Sequence, residues 1–159
     1  VDCDLWSISE SMEDEEFPGD LDYGEVVDAA YDLFRSMKIG TSNAEEPHEV
    51  CMTDDGEILG ASVAGYRGGE EQDEDGYPIL NATFSVVVAP AGRRRGIARK
   101  LVENIVEHFR QDAGWREATV IIEPEVVNPH MAALLRSLGF SENAGGWSER
   151  DPYMTLAVE

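Results

Sequence analysis

Between Tyr23 and Met37 the apolar residues Val26, Val27, Ala30, Tyr31, Phe34 and Met37 recur at three- and four-residue steps, predicting an amphipathic helix that ends near Gly40. Before it, Asp2 to Ile8 alternates loosely, as an opening strand does, and Glu10 to Glu16 is an acidic connection. Glu49 to Thr53 and Glu57 to Tyr66 read as two strands joined by Asp54-Asp55-Gly56, a hairpin turn in which glycine tolerates positive φ. Arg67 to Gly76 carries the run Glu70-Glu71-Gln72-Asp73-Glu74-Asp75; it is too polar to pack and is expected to be an exposed loop. Ile79 to Val88 is a long strand closed by Ala89-Pro90. A helix follows with Ile97, Leu101, Ile105 and Phe109 at four-residue steps, closed by Asp112-Ala113-Gly114. Ala118 to Ile122 reads as a buried strand, Met131 to Leu138 as a short helix stopped by Gly139, and Trp147 and Tyr153 to Val158 as terminal strands. The order is βαββ followed by βαβαβ or βαβαββ, a mixed α/β (α+β) class. No repeat or linker divides the chain, so residues 1–159 are expected to form one domain.

Composition changes this picture in two respects. Thirty-three acidic residues against 12 basic ones give a formal charge of −21, the reverse of what a nucleic-acid binder needs. Lys38 and Lys100 are the only lysines, a bias that fits a salt-adapted, solvated acidic surface; a sharper reading is that acidic walls attract a cationic substrate. No apolar stretch is long enough to span a bilayer and Val1-Asp2-Cys3-Asp4 carries no signal-peptide pattern, so a soluble, cytoplasmic protein without nucleic-acid or membrane partners is expected, with a homodimer left open. Cys3 and Cys51 lack CxxC spacing and His48 completes no ligand set; neither a structural disulfide nor a metal site is expected.

Five of the twelve basic residues, Arg93, Arg94, Arg95, Arg99 and Lys100, fall within eight positions. This loop joins a β-branched strand to an amphipathic helix, so its N–H groups lie at a helix N-terminus, where donors without intrahelical partners and the helix dipole bind phosphate. Gly96 permits close approach of a phosphate, Ala98 keeps the next contact small, and the arginines add charge-assisted hydrogen bonds. Neither a Walker loop nor a Gly-x-Gly-x-x-Gly fingerprint occurs, which weakens nucleotide-kinase and dehydrogenase readings.

The run Val86-Val87-Val88-Ala89-Pro90-Ala91-Gly92-Arg93-Arg94-Arg95-Gly96-Ile97-Ala98 resembles the signature of the GNAT superfamily of N-acetyltransferases. A second block, Asn128-Pro129-His130-Met131-Ala132-Ala133-Leu134-Leu135-Arg136-Ser137-Leu138-Gly139-Phe140, is similar in spacing to that family's Asn…Ala-Leu-Tyr…Gly-Phe helix. The resemblance covers about residues 49 to 158. It implies a mostly antiparallel sheet splayed at an acyl-CoA site, with acetyl-CoA as cofactor. The strand Val86, Val87, Val88 would offer main-chain groups, those of Val86 and Val88, to the pantetheine arm as an added strand does. Arg93, Arg94, Arg95, Gly96, Ile97 and Ala98 would hold the pyrophosphate, and Asn128 would contact the pantetheine or stabilise the next strand.

The implied reaction is direct transfer of an acetyl group to a primary amine, a small cationic metabolite or drug-like amine being the leading acceptor. An amine attacks only when neutral, so a base must take its proton and an acid must meet the leaving thiolate. The family's usual tyrosine position is Leu135 and the position of its strand glutamate is read as Ala82. The roles therefore pass to Glu123 as base, at the end of a buried strand, and to Tyr153 as acid. His130 reads as a surface cap, and Trp147 alone among the tryptophans is tempting as an acceptor-pocket wall. Direct transfer needs neither cysteine as nucleophile. The alternatives are acetylation of a protein N-terminus or lysine, an acyl-CoA-binding regulatory module without catalysis, and an acidic decoy of nucleic acid, which leaves the arginine loop unexplained.

Overall fold

The computed structural model describes residues 3–8, 17–142 and 154–159. In chain order the strands are β1 (Asp4–Ser7), β2 (Glu46–Met52), β3 (Ile58–Gln72), β4 (Pro78–Val88), β5 (Thr119–Pro124), β6 (Ser141–Glu142) and β7 (Met154–Val158). The helices are α1 (Tyr23–Ser36), α2 (Ile97–Arg116) and α3 (Pro129–Ser137). They build a seven-stranded sheet of order β1-β2-β3-β4-β5-β7-β6, in which β4 and β5 are parallel and the other pairs antiparallel.

Side-chain alternation along the strands feeds two cores, one on each sheet face. Val26, Ala30 and Phe34 of α1 pack with Val50, Ala61, Val63 and Val87. On the other face Ile97, Leu101, Ile105 and Phe109 of α2 and Ala132 and Leu135 of α3 pack with Ala82, Phe84, Val86, Val120 and Ile122. The predicted stripe of α1 is thus the buried one, and its start is fixed by Asp22, whose side chain accepts from Glu25 N while Glu25 reaches back to Asp22 N.

Two expectations are corrected. The polar stretch 67–76 is exposed but is not an irregular loop: β3 and β4 continue through it as a hairpin, with Glu71 opposite Ile79 and Gln72 opposite Pro78. The ladder pairs the backbone on either side of an irregularity between Arg67 and Glu71, while the charged side chains stay in water. The turn is closed by Asp73, whose Oδ1 accepts from Asp75 N and Tyr77 N at 2.9 and 2.8 Å. Cys3 and Cys51 form a disulfide, with Cα atoms 5.7 Å apart. The antiparallel pairing of β1 with β2 brings together two residues 48 positions apart in sequence, which no local spacing reveals.

A bulge at Pro47/Glu49 in β2 turns both His48 and Glu49 toward α2, where the His48 ring lies 4.9 Å from that of His108 and Glu49 Oε2 accepts from Asn104 Nδ2 at 2.8 Å. His48 Nε2 is buried without a hydrogen-bond partner among the described residues. Burial and then the neighbouring His108 lower its pKa to about 4.

Candidate functional site

The parallel ladder of β4 and β5 runs from Ile79/Thr119 to Phe84/Pro124 and stops, its last tie being Glu125 N to Phe84 O at 2.9 Å. Among the described residues β4 continues to Val88 against β3 alone, with Val86 opposite Ser62 and Val88 opposite Gly60. Main-chain groups alternate sides along a strand. Since Phe84 O faces β5, the N–H and C=O of Val86 and Val88 face the opening, whereas Ala89 N bonds back to Leu59 O. The strands are therefore splayed with two residues' worth of unladdered backbone on the open side.

That opening leads into a cleft of about 780 Å³ lined by residues that include Val86, Val88, Arg93, Arg94, Gly96, Ile97, Ala98 and Asn128. Met37 and Ile39, just past α1, form a further part of its wall. Gly96 caps α2 in the left-handed region at φ 74°, ψ 15°, a conformation cheap only for glycine. The first helical bond is Lys100 N to Gly96 O at 3.1 Å, so the N–H groups of Ile97, Ala98 and Arg99 have no intrahelical acceptor. An added Cβ at Gly96 would meet nothing within 4 Å; its glycine is explained by the backbone angle. α2 sits close over the sheet because β3 carries Gly60, whose missing Cβ would lie 2.6 Å from Ile97 Cγ2.

Of the residues expected at the cofactor site, Val87 stands apart. It pairs with Ala61 and its side chain is buried in the core under α1. Arg95 is exposed on the same loop. Asn128 borders the cleft and also caps α3, its Oδ1 accepting from Met131 N at 2.8 Å, with Pro129 at the first helical position. His130 lies on the cleft wall. Leu135 is fully buried in the core beneath α2 and α3, so that helix offers no acid at this position. Ala82 faces the same core; the β4 residues that face the opposite side are Thr83, Ser85 and Val87.

Glu123 is in register with Thr83 and so lies on the α1 side of the sheet, half-buried. Tyr153 and Trp147 lie outside the described residues. Where the two strands part, a small pocket of about 40 Å³ is bordered by Ile39, Phe84, Ser85, Val86, Pro124 and Asn128, among others. Around its α1 side stands a group that sequence reading did not find. Glu125 Oε1 accepts from Thr83 Oγ1 at 2.9 Å and pairs with Arg67 Nη2 at 2.7 Å. Glu45 is 5% exposed; its Oε1 accepts from Ser42 N at 2.8 Å, while Oε2 is buried with no hydrogen-bond partner among the described residues. Ser85 Oγ donates to Gly40 O at 3.1 Å, holding the segment between α1 and β2 over the pocket. Burial raises the Glu45 pKa, and nearby Glu125 adds to the rise against the hydrogen bond from Ser42 N. Tyr31 of α1 is raised as well, by burial and then by Glu46 and Glu45. Among 33 acidic residues the signal for Glu45 would have been its company: an acidic residue between a glycine-serine turn and an apolar strand.

No helix among the described residues is long and apolar enough to cross a membrane. The sequence model of the acetyltransferase (GNAT) family matches residues 6–140. A 69-residue segment is 35% identical to a PanD regulatory factor of Salmonella typhimurium, covering 43% of this chain and 52% of that one, so the match spans about half the relative's length. A mutant AtaT toxin, solved with the C-terminus of the antitoxin AtaR and acetyl-CoA, shares the fold at a TM-score of 0.57 and 13% identity, over 99% of this chain and 94% of that one. So does the ribosomal-protein-S18-alanine N-acetyltransferase of Escherichia coli, at a TM-score of 0.51 and 16% identity over 98% and 92%. With its family model matched over most of its length and its β4 and β5 splayed beside a basic helix N-terminus, the chain belongs to the acetyltransferase (GNAT) family.

Proposed function

We propose that this protein transfers the acetyl group of acetyl-CoA to a primary amine of a small cationic molecule. The observation that carries the reading is the continuous path from the N-terminus of α2, with Arg93 and Arg94, along the open main chain of Val86 and Val88 to the pocket where β4 and β5 part. In this reading the pyrophosphate lies against Arg93 to Ala98, the pantetheine arm bonds Val86 and Val88, and Asn128 lends its side-chain N–H to the arm. The thioester then reaches the acidic α1 side of the sheet, where Glu45, Glu123 and Glu125 favour a cation. Support for acetyl-CoA as donor also comes from the related AtaT fold, which was solved with it.

Nitrogen attacks the thioester carbon as its C=O pair moves to oxygen; collapse of the adduct breaks the C–S bond. Glu123 takes the proton that nitrogen sheds as the amide forms, and Tyr153 protonates the departing thiolate. Replacing Glu123 with Gln is expected to lower turnover about 100-fold at neutral pH and less at high pH; equal loss at every pH would assign it a structural role. The wider test is calorimetry with acetyl-CoA in low and molar salt, followed by thiol release with a panel of amines. Turnover supports the enzyme.

Two observations favour a second reading. The similarity to a PanD regulatory factor and the burial of Leu135 where the family carries tyrosine both suit an acyl-CoA-binding regulator. Tight acetyl-CoA binding without thiol release under any amine would select it, and no binding by folded protein would sink both readings.

A further inference from the structure

The pocket where β4 and β5 part is small and mostly apolar. Its volume is about 40 Å³, and Ile39, Phe84, Val86, Pro124, Val126 and Met131 supply its apolar wall. Ile39, Val86, Asn128 and Met131 border the cleft as well, so cleft and pocket meet across them. Phe84 and Pro124 border the pocket alone and stand on the sheet itself. They are partners in the β4–β5 ladder, both are buried, and the Phe84 ring packs edge-on against Phe140. Ile39 and Met131 come from outside the sheet, each on a fixed backbone. Lys38 closes α1 in the left-handed region at φ 57°. Lys38 N donates to Arg35 O at 3.1 Å and Ile39 N to Phe34 O at 3.0 Å, the paired bonds of a Schellman stop. Ser85 Oγ then pins the following residue by donating to Gly40 O at 3.1 Å. Met131 N donates to Asn128 Oδ1 at 2.8 Å in the first turn of α3.

We infer that this pocket sorts acyl-CoA donors by acyl length, and that Ile39 and Met131 are the side chains that set its limit at acetyl. The inference rests on the acetyltransferase reading above: with the pantetheine arm bonded to Val86 and Val88, the acyl group is the part of the donor that enters beyond Val86. A water-sized group needs roughly 10 to 15 Å³ of such space, so a pocket of about 40 Å³ holds about three of them. An acetyl group brings a carbon, an oxygen and a methyl, and fills it. A butyryl group adds two methylenes, which must displace a wall. Phe84 and Pro124 yield only if the sheet does, because their backbones are paired in the ladder. The half-buried side chains of Ile39 and Met131 therefore meet the excess, and truncating either one opens room for it. Among the described residues no charged side chain borders the pocket, and Ser85 Oγ and Asn128 Oδ1 are engaged with Gly40 O and Met131 N. The carboxylate of a dicarboxylic acyl group would find no partner there.

The test is calorimetry of wild type, Ile39→Ala and Met131→Ala with CoA, acetyl-CoA and butyryl-CoA, each acyl-CoA affinity being divided by the same protein's affinity for CoA. No acceptor is needed, so the result does not depend on finding the amine. Wild type is expected to bind butyryl-CoA at least about tenfold more weakly than acetyl-CoA, the low end of what a single misfitting methylene costs in an apolar pocket. In either variant butyryl-CoA is expected to bind as tightly as acetyl-CoA or more tightly. Wild type that binds the two alike, or two folded variants that both keep the tenfold preference, would overturn the length limit while leaving the acetyltransferase reading intact. Folded wild type that binds neither CoA nor either acyl-CoA would overturn both. Met131→Ala carries the comparison alone if Ile39→Ala does not fold.

Discussion

Gly65 shows how a single missing side chain positions the segment before β2. A Cβ there would meet Ala44 O at 1.8 Å and Ala44 C at 2.9 Å, both backbone atoms, so accommodation requires the segment before β2 to move off the sheet. Gly65→Ala is expected to cost about 1 to 3 kcal/mol, the usual range for overpacking, read as a lower urea midpoint. Because the displaced segment carries Glu45 and not the arginine loop, turnover is expected to fall with acetyl-CoA affinity retained. His48 makes a different residue-scale prediction. Its folded pKa, about 4, lies below the usual 6.5, so the unfolded chain binds the extra proton first. The stability tied to this residue is intact above about pH 6.5, declines as pH falls and is lost below about pH 4, a change of about 3 kcal/mol. Raised carboxyls such as Glu45 and Glu49 bind protons preferentially in the fold and push the other way. The readout is therefore the difference between proteins: His48→Phe, which keeps the ring contact with His108, is expected to lose that slope in denaturant midpoints measured from pH 7 to pH 4.

At the scale of elements, the face of α2 is written in its sequence, but its height above the sheet is not. The four-residue spacing of Ile97, Leu101, Ile105 and Phe109 names the buried stripe, whereas the seat of that stripe depends on Gly60, 37 positions before Ile97 and brought under it only by the pairing of β3 with β4. Gly60→Ala is expected to lift the first turn of α2 and weaken acetyl-CoA binding about tenfold, or about 1.4 kcal/mol, measured by calorimetry on the folded variant, whose urea midpoint also falls because the added methyl overpacks the core. The same division explains the other outcomes. The strand-to-helix junction at Arg93 to Ala98 was legible because its residues are contiguous. The end of β3 at 67–72 was not, since its polarity says only that its side chains meet water and a two-stranded ladder can lie there as well as a loop can. The Cys3–Cys51 disulfide and the Ser85–Gly40 hydrogen bond each join residues more than 40 positions apart, and no periodicity carries that information. Alignment to the family's glutamate pointed to Ala82, but alternation on β4 puts Ala82 in the α2-side core and leaves Thr83 and Ser85 to face the other way.

For the whole molecule, the charge of −21 sets opposite long-range terms for the two substrates proposed here. A cationic amine is drawn in by the overall field and by the carboxylates near the pocket, while an anionic acyl-CoA is repelled at a distance and held at contact by Arg93 and Arg94. Salt separates these terms because it screens distance more than contact: going from about 0.1 to about 1 M shortens the Debye length from about 10 to about 3 Å. Self-repulsion of the acidic surface is relieved over the same range, so the urea midpoint is expected to rise. The amine's KM should rise with salt as its attraction fades. The association rate of acetyl-CoA should rise too, since what is screened first is repulsion, even as the contact with the arginines weakens and dissociation quickens. Stopped-flow binding and steady-state kinetics across that salt range distinguish the cases. An amine KM that stays flat while the midpoint climbs would mean that the acidic excess serves the surface alone and plays no part in gathering the acceptor; a KM that climbs with it would tie the same charges to both.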